Sequence, residues 1–345
     1  MLTRSYKRKF QSIRKATLTK DRAYVISEIA TLIFVSFPTM KSSTIGLFSA
    51  LSFVMSVLPT FGQVTRKSPQ LVNLSCRSRI ATGTSRTVGF VIVAYPGAPL
   101  NSSKQLLIRG VGPGLAQFGI TNAMSDPQLV LYEQGRETAS NNDWGSTAAE
   151  TAAFNQVGAF KLPQGSKDAV ISINLPVATG SMRSFTVTLE DRSNQGGVGL
   201  IEVYDVQRDT TALEIVNLSL MGTSGNGEDA LIVGLTLDGV GSQQVMIRAI
   251  GPELAQFGVN SFMTDPFLSL RYQSAPNQFV TISNDNWSKD AINTAARVGA
   301  FPLSSGSTSA VVMPTMSITS LTSATATIQA GQFGGTVLVE AYMVK

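Results

Sequence analysis

The 345-residue sequence contains no histidine and a single cysteine. The absence of histidine excludes Ser-His-Asp and Cys-His nucleophile systems, and every metal site that uses histidine. Carboxylate, lysine and threonine chemistry remain, so enzymes are disfavoured rather than excluded. The single cysteine, Cys76, has no partner for an internal disulfide, and we predict that it is a buried thiol on a strand.

Charged residues are also scarce, at 14% of the chain, and they are unevenly distributed. Residues 1–67 contain eleven of the 27 Lys and Arg but only two of the 22 acidic residues, a net charge of +9. The remaining chain therefore has 16 basic and 20 acidic residues, a net charge of −4. Because the basic excess lies in the N-terminal segment, we predict no nucleic-acid partner for the folded part.

Residues 40–62 have the pattern of a signal peptide. Lys41 supplies a positive start, residues 45–58 an apolar stretch, and residues 60–62 a cleavage site. Residues 1–39 have two interpretations, an over-annotated start upstream of Met40 or an extended export leader, and we favour the first. Either way the pattern predicts an exported protein, secreted, periplasmic or on the cell surface, that meets the membrane only through its export signal.

The sequence repeats itself at a period of about 140 residues, the size of one domain. The order of matching segments is kept throughout: 71–75 with 215–219, 107–119 with 246–258, 142–144 with 285–287, and 200–204 with 338–342. We therefore predict repeat 1 at residues 63–208 and repeat 2 at residues 209–345.

Each repeat consists of short apolar segments separated by turn residues, which is typical of antiparallel strands. The pattern predicts an all-β protein of two tandem antiparallel β-sandwich domains, jelly-roll or immunoglobulin-like, each with one short helix. In repeat 1 a capping box at Thr147 and Glu150 begins the helix and Gly158 ends it. In repeat 2 Ser288 is predicted to cap residues 289–297, with Gly299 as the stop.

Residues 109–113 (Arg-Gly-Val-Gly-Pro) superficially match a phosphate-binding glycine loop. The segment lacks the lysine and the third glycine of such loops, so we predict a tight turn after a strand. Arg109 and its counterpart Arg248 are predicted to form structural ion pairs with carboxylates on neighbouring strands. Glu202 and Glu340 alternate with apolar neighbours, which predicts that they lie on a solvated sheet face.

The polar loops beside the two tryptophans are the candidate binding sites. Their residues are Asn142, Asp143, Trp144, Asp285, Asn286 and Trp287. An exposed tryptophan would stack on a sugar ring, whereas a buried one would fix the loop to the sandwich, and we favour the buried alternative. The oxygen-rich loops also suggest a Ca²⁺ site at Asp126, Asp143, Asp265 and Asp285, although Asx turns use the same residues. No other cofactor is predicted.

Residues 107–119, together with 126–132 and 202–205, resemble a repeat found in secreted and surface proteins of environmental bacteria. The middle of each repeat is also similar to bacterial pre-peptidase C-terminal domains, which are small sandwiches appended to secreted enzymes. The resemblance implies an accessory, adhesive or matrix role, and it transfers no catalytic residue.

We therefore expect an exported, non-catalytic structural or binding protein of the bacterial cell surface or extracellular matrix. Its partner would be an extracellular polysaccharide or a surface protein, bound through loops at the sandwich ends. Two alternatives remain. One is a carboxylate-dependent extracellular hydrolase using Asp126 and Asp143, and the other is a purely architectural protein that assembles through its sheet edges.

Overall fold

The computed structural model describes residues 68–208, 212–275, 277–331 and 333–345. The predictions for residues 1–39 and 40–62 lie outside these ranges. Within them, no helix combines the length and apolar character needed to cross a membrane. The described chain forms mostly antiparallel strands with two short α-helices, so the predicted all-β class is confirmed.

The strands of repeat 1 are β1 (Gln70–Ile80), β2 (Ser85–Ala94), β3 (Ser103–Val111), β4 (Pro127–Glu133), β5 (Arg136–Asn141), β6 (Ala169–Pro176), β7 (Met182–Asp191) and β8 (Gly197–Asp205). Those of repeat 2 are β9 (Leu213–Ser224), β10 (Leu231–Asp238), β11 (Gly241–Ile250), β12 (Pro266–Ala275), β13 (Gln278–Asn284), β14 (Ala310–Val312), β15 (Thr315–Ile318), β16 (Thr322–Ala330) and β17 (Gly335–Val344). The helices are α1 (Ala148–Val157) and α2 (Ala291–Arg297), with 3-10 turns at Pro113–Phe118, Gly227–Asp229 and Pro252–Phe257.

The strand pairings form two long sheets, and both continue from one repeat into the other. Sheet I has the order β5–β4–β7–β2–β9–β17–β11, with β14 and β15 both paired to β11. Sheet II has the order β6–β3–β8–β1–β10–β16–β12–β13. The pairs β2–β9 and β1–β10 cross the repeat boundary, so the repeats are joined by backbone hydrogen bonds and not only by side-chain contact.

A pseudo-two-fold axis relates the two repeats at this junction. Ser75 on β1 pairs with Gly234 on β10, and the equivalent Ser219 on β9 pairs with Gly89 on β2. Leu71 pairs with Ile215, its own counterpart in the other repeat, which places the axis between these two residues. Each crossing also contains one register shift at the equivalent position.

The core lies between the two sheets and is continuous across the repeats. One cluster of buried side chains contains Leu74, Phe90, Leu218 and Leu235, which come from β1, β2, β9 and β10. Along β10 every second residue belongs to this cluster, as the two-residue period of a strand requires. Burying each such side chain contributes about 1.5–3 kcal/mol. Cys76 is a buried, unpaired member of the cluster, as predicted, and burial raises the pKa of its thiol to about 12.

The short helices cover the outer faces of the sheets. Helix α1 begins at Thr147 with the predicted capping box to Glu150, and it ends at Gly158 in the left-handed region. Helix α2 begins at Ala291, two residues later than predicted, and Ser288 does not cap it. The reason is local: the Ala291 N–H donates to the Ser288 carbonyl, so the chain first makes a separate turn. Gly299 follows α2 with a φ of 73°.

Candidate functional site

The two tryptophans lie beneath the loops that precede the helices. Trp144 is 7% exposed, and its indole N–H donates to the Pro163 carbonyl at 3.2 Å and the Ser166 hydroxyl at 3.1 Å. Trp287 is half-buried, and its indole N–H donates to the Ser304 carbonyl at 3.1 Å. Trp144 therefore fixes its loop to the outer layer, as the buried alternative predicts, and its ring offers no open face for stacking.

The polar residues of the same loops remain near the surface. Asn142 is half-buried and donates its amide to the Asp143 carboxylate at 3.1 Å, while Asp143, Asp285 and Asn286 are exposed. The contact between Asn142 and Asp143 joins neighbours within the loop and points to no particular ligand. Binding through these loops stays a prediction.

The carboxylates suggested for Ca²⁺ have different surroundings. Asp126 pairs with Lys167, with 3.1 Å between Oδ2 and Nζ, whereas Asp143 and Asp285 lie in exposed loops. Across the described ranges, no group of three or more cysteine and carboxylate side chains is placed to hold a metal ion. The Ca²⁺ site, which also includes Asp265, stays a prediction.

The glycine-rich turn after β3 holds an internal carboxylate. Asp168, which is fully buried, accepts hydrogen bonds from the Gly112 N–H at 2.8 Å and the Gly114 N–H at 3.1 Å. It also accepts the Ser166 hydroxyl at 2.6 Å. The amides that would bind a phosphate in a phosphate-binding loop are thus engaged within the fold, which agrees with the predicted structural turn.

Repeat 2 has the same turn, but the carboxylate and the small residue have exchanged positions. Glu253 replaces Gly114, and Ser309 replaces Asp168. Ser309 accepts the Gly251 N–H at 3.3 Å and donates its hydroxyl to the Glu253 carboxylate at 2.6 Å. Each repeat therefore has one buried carboxylate beneath the turn. In repeat 1 it is Asp168, just before β6, and in repeat 2 it is Glu253, within the 3-10 turn itself.

Buried ion pairs lie on the outer face of each sheet. Arg109 Nη2 lies 2.8 Å from Glu202 Oε2, and Arg248 Nε lies 2.9 Å from Glu340 Oε2. The predicted structural ion pairs are confirmed. The prediction that Glu202 and Glu340 are solvated is wrong, because they are 5% and 0% exposed. Alternation placed them correctly on the face opposite the core, but helices and loops bury that face as well.

The surroundings of Arg109 explain how a buried charge is tolerated. Its Nη1 donates to the Phe160 carbonyl at 2.6 Å, and its guanidinium lies 4.2 Å from the centroid of the Phe160 ring and 4.9 Å from that of Phe154. The Tyr204 hydroxyl donates to Glu202 at 2.6 Å. Burial, reinforced by the Glu202 charge, raises the pKa of Tyr204. These groups compensate one another's desolvation.

Repeat 2 reproduces this network. The Tyr342 hydroxyl donates to Glu340 at 2.8 Å, and Arg248 Nη1 donates to the Phe301 carbonyl at 2.7 Å. Burial raises the pKa of Glu340, although the charge of Arg248 opposes the shift. Burial and the charge of Glu340 also raise the pKa of Tyr342. Because both copies retain the network, we assign it to the fold.

One buried ion pair occurs in repeat 1 alone. Lys104 Nζ lies 2.6 Å from Asp205 Oδ2, and both side chains are fully buried. The equivalent residues in repeat 2 are Gln243 and Met343. Gln243 donates to the Val344 carbonyl at 3.0 Å, so a neutral arrangement serves the same place in the fold.

A cavity of about 210 Å³ opens on the outer face of sheet I, where β2, β9 and β17 run side by side. It lies next to the pseudo-two-fold axis and involves both repeats. Its walls are largely apolar, and they are formed by Val91, Val93, Met182, Val216, Val298 and Met343. Met182 is 43% exposed, so this unbranched side chain borders the opening.

The charged groups at the rim of the cavity are engaged with protein atoms. Lys345 pairs with Glu214 and lies against Tyr95, whose hydroxyl donates to Glu214 at 3.2 Å. Partial burial lowers the pKa of Lys345, but the hydrogen bond and charge of Glu214 outweigh it and raise the pKa. Burial and Glu214 also raise the pKa of Tyr95. Arg297 donates to the Lys345 main-chain oxygen at 2.5 Å.

Asn217 lies in the wall of the cavity, and its amide is poorly satisfied. It is 3% exposed, and neither amide atom makes a hydrogen bond of normal geometry to the described residues. The Tyr342 hydroxyl donates to Glu340, and it interacts with the Asn217 side chain, which opposes the rise in the pKa of Tyr342. Its counterpart Asn73 donates to the Val203 carbonyl at 3.2 Å. Asn217 therefore carries a desolvation cost that Asn73 avoids.

The surface that the pseudo-two-fold axis relates to the cavity is more polar. The positions of Val91, Val93 and Met343 are occupied there by Thr236, Asp238 and Asp205. The ion networks therefore occur in both repeats, whereas the related surface loses apolar character at these three positions and keeps it at Val72 and Val157, the counterparts of Val216 and Val298. The cavity was not predicted from the sequence because its walls come from distant segments, although the differences between the repeats at these three positions are visible in the sequence.

Comparisons with known proteins assign the chain to no family. No family model matches the chain, and no curated protein matches it. Among solved structures, a crystal structure of vicilin from Corylus avellana (hazelnut) is similar over 78% of this chain and 74% of that chain, at 5% identity and a TM-score of 0.16. A similarity of this size carries no argument about fold or function.

Proposed function

We propose that this protein is an exported, non-catalytic binding protein of the bacterial cell surface or extracellular matrix, and that the cavity on sheet I is its binding site. The cavity carries the proposal, because it is concave, apolar and bordered by a few polar groups, as small-molecule sites are. It also lies where the two repeats differ.

The buried carboxylates support a non-catalytic role. Glu202, Glu340 and Asp205 are paired with cations, and Asp168 is held by backbone N–H groups. A glycosidase-type mechanism needs one carboxylic acid and one carboxylate on either side of a substrate. Groups engaged in this way are positioned to stabilise the fold rather than to exchange protons with a substrate.

Thermal unfolding of the purified protein with a panel of small apolar compounds tests the proposal. A ligand that binds only the folded state raises the melting temperature as its concentration exceeds its Kd. We expect a dose-dependent rise that disappears in Val216→Phe, whose added ring fills the cavity. Met221→Phe is the matched control, since Met221 is also half-buried on β9 but does not line the cavity.

Two results would overturn the proposal: a flat response to the whole panel, or an equal rise in Val216→Phe. Oligosaccharides and Ca²⁺ form a separate arm, which addresses the predicted loops. A rise there that is lost in Asp143→Ala would move the binding site from the cavity to the loop.

A further inference from the structure

We infer that the cavity takes a small, uncharged molecule with a compact apolar body, about the size of one substituted aromatic ring. This inference rests on the proposed function and names the ligand class of the same site. It depends on the size of the cavity, the chemistry of its walls and the state of the charges at its rim.

Size sets the first limit. An apolar protein cavity of about 150 Å³ is large enough for benzene. The cavity here measures about 210 Å³, which leaves room for a ring with one short substituent. Met182 at the opening is unbranched and partly exposed, so it can adapt to differently shaped substituents.

The walls set the second limit. Val91, Val93 and Val216 come from adjacent strands, and Val298 closes the side next to helix α2. Such side chains recognise shape and apolar area, and they offer no hydrogen bond to a polar body. The wall also contains the Asn217 amide, which could pair with one polar group of a ligand. A molecule with several hydroxyl groups, such as a sugar, would lose water from the other hydroxyls without replacement.

The rim sets the third limit. Lys345 is already neutralised by Glu214, and Arg297 already donates to a main-chain oxygen. An anionic ligand would have to displace one of these contacts, and a cationic ligand would find the Glu214 carboxylate already paired with Lys345. In both cases the ligand charge is desolvated without a free partner, so the geometry favours a neutral molecule.

Three probes of nearly equal shape test the inference: toluene, benzoate and benzylammonium. Ligand-observed NMR titration of the full protein gives a Kd for each. Because an unpaired charge is costly to bury, we expect toluene to bind at least about tenfold more tightly than either ion. Val216→Phe should abolish toluene binding, and Met221→Phe should retain it.

The outcomes separate the two claims. If benzoate or benzylammonium binds as tightly as toluene, the neutral-ligand inference is wrong while the binding site stands. If none of the probes binds and the apolar panel is also silent, both claims fail. Should Val216→Phe not fold, Val93→Phe fills the same cavity from β2 and provides the same comparison.

Discussion

The exchanged carboxylate beneath the glycine turns leads to a quantitative prediction. Asp168→Ser in repeat 1 removes the acceptor of two backbone N–H groups and one hydroxyl. Hydrogen bonds to a charged group contribute about 1.5–3 kcal/mol each. Since Ser309 shows that a serine at this position still accepts one N–H, we expect a loss of about 3 kcal/mol of unfolding free energy.

Gly114→Glu alone should cost a similar amount for a different reason. A Cβ added to Gly114 would lie 2.9 Å from Asp168 Oδ2 and 3.1 Å from Leu162 Cδ2 and Val111 Cγ1. The new carboxylate would also stand beside that of Asp168 without a compensating charge. Overpacking and an unpaired buried charge each cost about 1–3 kcal/mol or more.

The double variant Gly114→Glu/Asp168→Ser copies the arrangement of repeat 2 and should recover most of the loss. We expect its stability to lie within about 1–2 kcal/mol of the parent, because one buried carboxylate again serves the turn. Urea unfolding of the four proteins, with unchanged m-values, measures the coupling. If the loss in the double variant equals the sum of the two single losses to within about 0.5 kcal/mol, the two positions are not coupled. The interpretation that the carboxylate has exchanged positions between the repeats is then refuted.

Three further predictions concern other buried and turn residues. Asp205→Met should lower the free energy of unfolding by about 3–5 kcal/mol, because the buried Lys104 charge loses its partner. The double variant Lys104→Gln/Asp205→Met copies repeat 2 and should be nearly neutral. Equal losses for the two variants in urea unfolding would contradict this prediction. Asn217→Leu should leave unfolding free energy unchanged or raise it by about 1 kcal/mol, because it removes a buried amide that makes no well-formed hydrogen bond and only interacts with Tyr342. A loss above about 2 kcal/mol would contradict this reasoning. Partial burial raises the pKa of Asp191, but hydrogen bonds from Ser193, Gly196 and Gln195 outweigh it and hold the pKa below its usual value. The stabilisation by Asp191 is therefore present above the ordinary pKa range of aspartate and is lost as the pH falls through the lowered pKa. Asp191→Asn should flatten the acid limb of the curve of unfolding free energy against pH. An unchanged acid limb would count against this prediction.

Local features were predictable from the sequence. The capping box at Thr147 and Glu150 depends on residues three apart, and the structure contains it. The ion pair of Arg109 followed from a charge placed within an apolar strand. Such inferences succeed because the partners are close in sequence, or because a buried charge requires a partner.

Long-range features were not predictable in the same way. Alternation along β8 and β17 identified the face that Glu202 and Glu340 share, but it does not indicate whether another layer covers that face. The pairing of β1 with β10 joins segments about 160 residues apart, and turn chemistry carries no information about it. The cavity next to that junction was not predictable for the same reason, since the residues of its walls come together only when the two repeats have paired.

The pseudo-two-fold axis has a consequence for binding stoichiometry. In a dimer of two identical repeats, each residue on the axis would face its own copy, so glutamate would oppose glutamate. Here one chain contains both halves, and Gln70 donates to its counterpart Glu214 at 3.0 Å across the axis. Covalent linkage has thus allowed two symmetry-related surfaces, each built from both repeats, to diverge, one towards a more polar surface and the other towards an apolar cavity. The molecule corresponds to a dimer that keeps only one of two symmetry-related cavities, so the proposed binding site predicts one ligand per chain.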